Sequence, residues 1–245
     1  MLLPPNLFIG ELPKDDQPMG DHVRHQLFFI EAEVARFRAA LALIERCTQE
    51  EQEEKNKRDN EKKNVLGKGD RWQKVQDEYK ERVNMFQAWR NMARRDAIFA
   101  VWDFFTTLTN IRDSLDACPS LNILVTRPVL ESIVKDCSIA FPMRKEARHA
   151  ASHSADLHQS PEEITKHSVN GRFFNLVTMP DDTVVFTFRP RGAKEAEMIS
   201  VKITRETLIQ LRSLQARLYA CFSEAQEKMS GRMLGRMGLK PPDKS

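Results

Sequence analysis

The chain has 245 residues, 30% of them charged, with a formal net charge of only +3. That length allows one large or two small domains with a sizeable core, and the near-balanced charge excludes a global field that would mark nucleic acid or a membrane surface as partner. Four cysteines, Cys47, Cys118, Cys137 and Cys221, lie far apart without a CxxC pair, which argues against a zinc knuckle or a thioredoxin-like motif and fits reduced, buried thiols of a cytoplasmic protein.

In chain order, the first twenty residues are rich in proline and acid and read as an extended arm. The apolar start lacks a basic flank and a small-residue cleavage site, so no signal peptide is read, and no apolar run is long enough to span a bilayer. From Asp21 the pattern changes. Leu27, Ile30, Val34, Phe37, Leu41 and Ile44 recur at steps of three and four, the spacing of one helix face. Past Cys47 the stripe stops, and Gln49 to Lys63 is nearly all charged or amide. That run is either a solvated helix extension or a hairpin tip, and the glycines of Asn64-Val-Leu-Gly-Lys-Gly-Asp70 supply a break.

A second long helix carries Val75, Tyr79, Val83, Phe86, Ala93, Ala97, Val101, Phe104, Leu108, Ile111 and Leu115 at the same spacing. Two such helices joined by a polar tip predict a long antiparallel αα-hairpin. Between Ala97 and Phe105 apolar residues cover nearly the whole circumference, which predicts burial on more than one side. Cys118-Pro119 ends this helix. Thr126-Arg-Pro-Val starts another with a threonine cap and an early proline, and Phe141-Pro142 restarts the chain as a further short helix.

After His158 the character changes again. Ser160-Pro-Glu-Glu163 has the marks of a short helix start. Arg172 to Met179, Thr183 to Arg189 and Glu197 to Ile203 alternate as strands, with Pro180-Asp-Asp182 as a turn, which predicts a three-stranded antiparallel β-meander lying on the helices. Thr204 caps a last helix with a stripe of Leu208, Leu211, Leu214, Leu218 and Cys221. The fold class expected is mainly α, a helical bundle with a long antiparallel αα-hairpin, a small three-stranded meander and a C-terminal helix. Its organisation is an extended arm over residues 1–20, a single helical domain over 21–228 with the meander at about 172–203, and a flexible basic tail over 229–245.

The segment that carries chemistry is Phe141-Pro-Met-Arg-Lys-Glu-Ala-Arg-His-Ala-Ala-Ser-His153. Ala147, Ala150, Ala151 and Ala155 make a small-residue face that lets another helix approach closely. Arg148, His149, Ser152 and His153 occupy the polar remainder. Histidine titrates near neutral pH and can take the proton of a ribose 2′-hydroxyl or return one to a leaving oxygen. Arginine can hold a phosphate bidentately and stabilise the charge that develops on it. Arg144 and His149 repeat the spacing of Arg148 and His153, so the pair has two registers. His149 and His153 could also hold Zn²⁺ or Ni²⁺ with His158 or Asp156. A lone HxxxH pair is weak evidence, however, and no glutamate follows His149 as a zincin-type site requires. No metal and no cofactor are expected.

Arg148-His-Ala-Ala-Ser-His153, late in a chain of long helices, resembles the Arg, polar residue, three residues, His motif of the HEPN superfamily, the higher eukaryote and prokaryote nucleotide-binding helical domains. The resemblance implies a homodimer in which two motifs face each other and cut RNA without a metal, with Arg148 and His153 in catalytic roles and His149 in support. It covers the helical part of the chain and rests on this motif. The β-meander is not part of a minimal domain of that family, and many of its members are noncatalytic. The expected function is therefore a HEPN-like, metal-independent endoribonuclease or RNA-associated protein, with RNA and a second copy of the chain as partners and no membrane. The alternative is a noncatalytic scaffold whose αα-hairpin meets a partner protein. Three other features are given ordinary roles: Arg90, Arg94 and Arg95 as solvated or acid-paired arginines, Phe173, Phe174, Phe186 and Phe188 as core residues, and Arg232, Arg236 and Lys240 as part of the disordered tail.

Overall fold

The computed structural model describes residues 2–64, 69–152, 160–174, 177–179, 183–189 and 192–237. The chain is mainly α-helical, with a long αα-hairpin, a three-stranded antiparallel sheet and helices at its C-terminal end. In order come a 3-10 turn at Ile9–Glu11, α1 (Gln17–Asn64), α2 (Gly69–Asp116), α3 (Pro119–Asn122), α4 (Arg127–Ala140), α5 (Arg144–Ser152) and α6 (Pro161–Lys166). They are followed by β1 (Val177–Thr178), β2 (Thr183–Phe188), β3 (Glu197–Lys202), α7 (Arg205–Ala220) and α8 (Ser223–Arg236). Two compact units interleave along the chain: residues 1–35, 100–144 and 206–245 form one, and residues 36–99 and 145–205 the other.

In the first unit, the early part of α1 and the late part of α2 bury the stripes read from their spacing: Val23, Leu27, Ile30 and Val34 on one, Val101, Phe104, Leu108, Ile111 and Leu115 on the other. The expectation for 97–105 holds in part. Ala97, Ile98, Ala100, Val101 and Phe104 are buried, but Phe99, Trp102 and Phe105 keep partial exposure. Polar contacts join the helices of this bundle. Arg217 of α7 donates to Asp136 (2.7 Å) and Ser132 (2.9 Å) of α4, and Arg127 of α4 donates to the Arg112 carbonyl (3.0 Å) and pairs with Asp116 (2.8 Å) of α2. Thr126 makes no side-chain cap on α4. Its backbone N–H instead donates to the Cys221 carbonyl (3.2 Å), so the turn into α4 is held by the turn between α7 and α8.

The segment before α1 is tied in. Leu7 and Leu12 are buried, and the Asp16 carboxylate accepts the Ser120 N–H (2.9 Å) at the start of α3. Bonds from Ser120 hold that carboxyl below its usual range. The C-terminal end also differs from expectation. Glycine weakens a helix interior by only about 1 kcal/mol, and α8 runs through Gly231 and Gly235 because Ala225 and Met229 are buried on its inner face. Arg236 pairs with Glu11 (3.2 Å). Lys240 lies outside the described residues.

All four cysteines are free and buried. Burial pushes the thiols up, to about 12 at Cys137 and about 11 at Cys221, so neither forms the reactive thiolate near neutral pH. Among the described residues no helix is long and apolar enough to cross a membrane.

Tyr219 of α7 donates to the Leu27 carbonyl of α1 (3.0 Å) and accepts from Gln215 (3.2 Å), and Gln215 also donates to Glu31. Burial raises the Tyr219 phenol to about 12. A folded pKa above the unfolded value near 10 means a stabilising contribution that is complete below about pH 10 and lost as pH rises toward 12. Tyr219→Phe is therefore expected to cost about 1 kcal/mol in urea unfolding at neutral pH. It should also remove the late phenolate absorbance step of the native protein. An unchanged step in that variant would contradict the assignment.

In the second unit, the outer parts of α1 and α2 run antiparallel. Arg36 pairs with Asp96 (2.6 Å), Glu51 with Arg90, and Glu54 with Arg82 (2.7 Å), and the Arg58 guanidinium lies 4.4 Å from the centre of the Tyr79 ring. The partners converge in number toward the tip, which is the signature of a hairpin. These pairs explain why the charged run stays helical to Asn64: it is an extension of α1 with a partner alongside. Arg90 thus holds an acid across the hairpin, and Arg94 donates to Asn91 (3.1 Å).

The sheet has the order β1-β2-β3, with Val177 opposite Val185 and Phe186 opposite Ile199. One face carries Val184, Phe186 and Ile199, all buried. Arg205, just after β3, holds Glu45 of α1 through two bonds (2.8 and 3.2 Å) and keeps that carboxyl below its usual range. The second and third strands end within a residue of the predicted limits. The first shortens to Val177–Thr178, while Phe174 still bonds to β2, its carbonyl accepting the Thr187 N–H (2.8 Å).

Candidate functional site

Alanine makes α5 a helix at low entropic cost, and its spacing decides which way the helix faces. Ala147, Ala150 and Ala151 are buried, whereas Arg148 is half-buried and His149 exposed on the opposite side. His153 lies outside the described residues, as do Ala155, Asp156 and His158. Arg144 is used otherwise. Its guanidinium lies 3.5 Å from the centre of the Phe105 ring, a cation–π contact, and it donates to the Phe141 carbonyl (2.8 Å). Those contacts fasten the start of α5.

His149 reaches the end of β2. Its ring stacks on Phe188, with centroids 6.3 Å apart and planes 17° apart. Phe188 in turn stacks on His167, at 5.2 Å and 22°. His167 follows α6 and is buried, and its Nδ1 accepts the Arg189 N–H (2.8 Å). An acceptor at Nδ1 requires the neutral imidazole with its proton on Nε2. Beside this ladder of rings is an open hollow of about 460 Å³, lined by Pro161, Glu162, Thr165, Lys166 and Arg189.

Two local devices set the ladder. Val169 and Arg172 exchange backbone bonds (2.9 and 3.0 Å) around Asn170 and Gly171, both at positive φ (49° and 72°). This is a two-residue hairpin turn of the kind Asn-Gly favours, since both central residues must be left-handed. It folds the chain back between His167 and the strand region. Thr187 then accepts the Phe174 N–H at its hydroxyl (2.8 Å), pinning the returning segment across β2. His167 and Phe188 were missed as site residues by sequence reasoning, which placed Phe188 in the core. The Asn170-Gly171 pair was the available signal for the turn that sets His167 beside β2.

Among the described residues no three His, Cys, Asp or Glu side chains converge as a metal site. Three of the four side chains weighed for Zn²⁺ or Ni²⁺, His153, Asp156 and His158, fall outside those residues. Comparison with known proteins finds no matching family model, no matching curated protein and no matching solved structure.

Proposed function

We propose that this chain is a HEPN-like helical protein that acts on RNA as a metal-independent endoribonuclease, working as a dimer of two facing motifs. Arg148 clamps the scissile phosphate and His153 is the acid–base group. His149 supports them. The observation that carries the reading is the polarity of α5: its alanine face is buried, which leaves the half-buried Arg148 and the exposed His149 off that face. The engagement of Arg144 with Phe105 favours the register that begins at Arg148.

In the reaction, the 2′-oxygen attacks phosphorus as His153 takes the hydroxyl proton. The bond to the 5′-oxygen breaks, and a protonated histidine, here that of the facing motif, gives that oxygen its proton. The products are a 2′,3′-cyclic phosphate and a 5′-hydroxyl end. Arg148 donates to the phosphate oxygens as charge accumulates on them.

The test is incubation of the purified protein with end-labelled structured RNA in excess EDTA, beside Arg148→Ala and His153→Ala. Cleavage by the wild type alone supports the reading, and cleavage retained in both variants overturns it.

A second reading, the noncatalytic scaffold, is favoured by Met85, Trp89 and Met92. They lie at i, i+4 and i+7 on α2 and are 38%, 41% and 65% exposed, an apolar strip on the hairpin surface. Absence of cleavage together with a protein complex lost on Trp89→Ala would favour it.

A further inference from the structure

The outer hairpin of the second unit turns one charge-free stretch to solvent. The chain is 30% charged, yet between Asn84 and Met92 of α2 every exposed side chain is uncharged: Met85, Trp89 and Met92, with amides and Ala88 among them. The one charged residue of that stretch, Arg90, is turned in to Glu51. Trp89 is held by its own helix, its ring edge-on to the buried Phe86 with centroids 6.1 Å apart, so little side-chain freedom is lost when it is covered. Exposed Trp and Met with charge kept to the rim is the composition of a protein interface core.

The rim decides the occupant. At 3.6 residues per turn, Glu81 and Arg95 fall on one margin of the strip, with Ala88. Arg82 and Asp96 fall on the other, with Trp89. Each margin therefore has an acid at one end and a base at the other. Glu81 is exposed and Arg95 part-buried with an unpaired Nε, and neither holds an ion pair among the described residues. We infer that the strip is the contact surface for a second copy of this chain, the two α2 helices running antiparallel about a two-fold axis between Ala88 and Trp89. In that arrangement Met85 meets Met92 of the second copy and Trp89 meets Trp89. Glu81 meets Arg95 and Arg82 meets Asp96, each pair occurring twice by symmetry. A parallel pairing would set each of these charges against itself, which is repulsive. Arg82 and Asp96 keep half-exposed side chains although each has a partner within the hairpin, Glu54 and Arg36, so the new contacts join existing pairs into a network. The contact covers only about four helical turns, short of the roughly 800 Å² per partner of standard interfaces, and a dimer in the micromolar range is expected. The inference stands apart from the RNA reading, and it gives to a second copy the strip that the scaffold reading gives to another protein.

The experiment is sedimentation equilibrium of the full chain over a micromolar concentration series, with circular dichroism of every variant. The wild type should show a monomer–dimer equilibrium. Trp89→Ala should weaken the dimer about thirtyfold, the loss expected for a central aromatic anchor. Glu81→Arg reverses the charge facing Arg95 and should weaken it about tenfold or more. Combining Glu81→Arg with Arg95→Glu should restore the wild-type constant, because only an antiparallel pair sets these two positions against each other. Trp89→Ala and Glu81→Arg change exposed residues and decide the matter if the double reversal does not fold. The inference is overturned by a wild type that is monomeric across the series, by a dimer unaltered in both natively folded single variants, or by a folded double reversal that dimerises as weakly as Glu81→Arg. A monomeric wild type that binds a different protein through Trp89 overturns it in favour of the scaffold reading. No step reads RNA cleavage, so this inference and the endoribonuclease reading fail separately.

Discussion

Arg148→Ala, with the circular dichroism of the wild type, is expected to lower RNA cleavage by about 10²–10³-fold, the loss typical of removing one preorganised donor to developing charge. Arg148→Lys should recover only part of that. Lysine restores the charge but not the planar fork that meets two phosphate oxygens at once. Arg148 is half-buried on α5, directly after the buried Ala147, so its guanidinium is projected from a helix whose orientation is set by packing. His153→Ala should cost about 10²–10⁴-fold, the range of general acid–base catalysis. Single-turnover rates on end-labelled RNA check all three. A lysine variant as active as the wild type would show that Arg148 acts as a simple point charge and would remove the bidentate clamp from the mechanism.

Phe104→Ala is expected to destabilise the protein by about 3–5 kcal/mol, the range for removing a fully buried aromatic side chain. That is a large share of the roughly 5–15 kcal/mol that holds a typical domain together. Phe104 has no exposed surface, and Ala100, Val101 and Leu108 around it on α2 are also buried. The surrounding side chains cannot all shift to fill the space, so a cavity term adds to the lost transfer energy. Met92→Ala is the control. At 65% exposure it should change stability by no more than about 0.5 kcal/mol. Urea unfolding of both variants measures the difference, and a loss at Phe104 similar to that at Met92 would contradict the packing of the first unit.

Much of the helical part was legible from spacing. Residues such as Leu27, Ile30 and Val34, or Val101, Phe104 and Leu108, repeat over many turns, and burial follows that repeat. The run from Gln49 to Lys63 was open between two readings because charge without an apolar stripe has no phase. Its helix is secured by partners on α2 such as Arg82 and Arg90. Thr126 illustrates a local signal overridden by tertiary structure: the residue type suits a cap, but its backbone bonds to Cys221 and its side chain makes no cap. The C-terminal stretch was read as glycine-broken because propensity was the only guide, whereas burial of Ala225 and Met229 keeps it helical to Arg236.

For the candidate site, the alanine face of α5 and the polar placement of Arg148 and His149 could be read directly, since both follow from helical spacing within nine residues. The contact of His149 with Phe188, the burial of His167 and the use of Arg144 against Phe105 could not. The sequence by itself determined the mainly α class, the two long helices, the small sheet and the polarity of α5, because periodicity is a local property repeated along each element. Only the tertiary structure decided which arginines hold partners within the fold and which rings stack beside the motif. Those pairings depend on how segments remote in the chain are brought into register, and no local pattern carries that information.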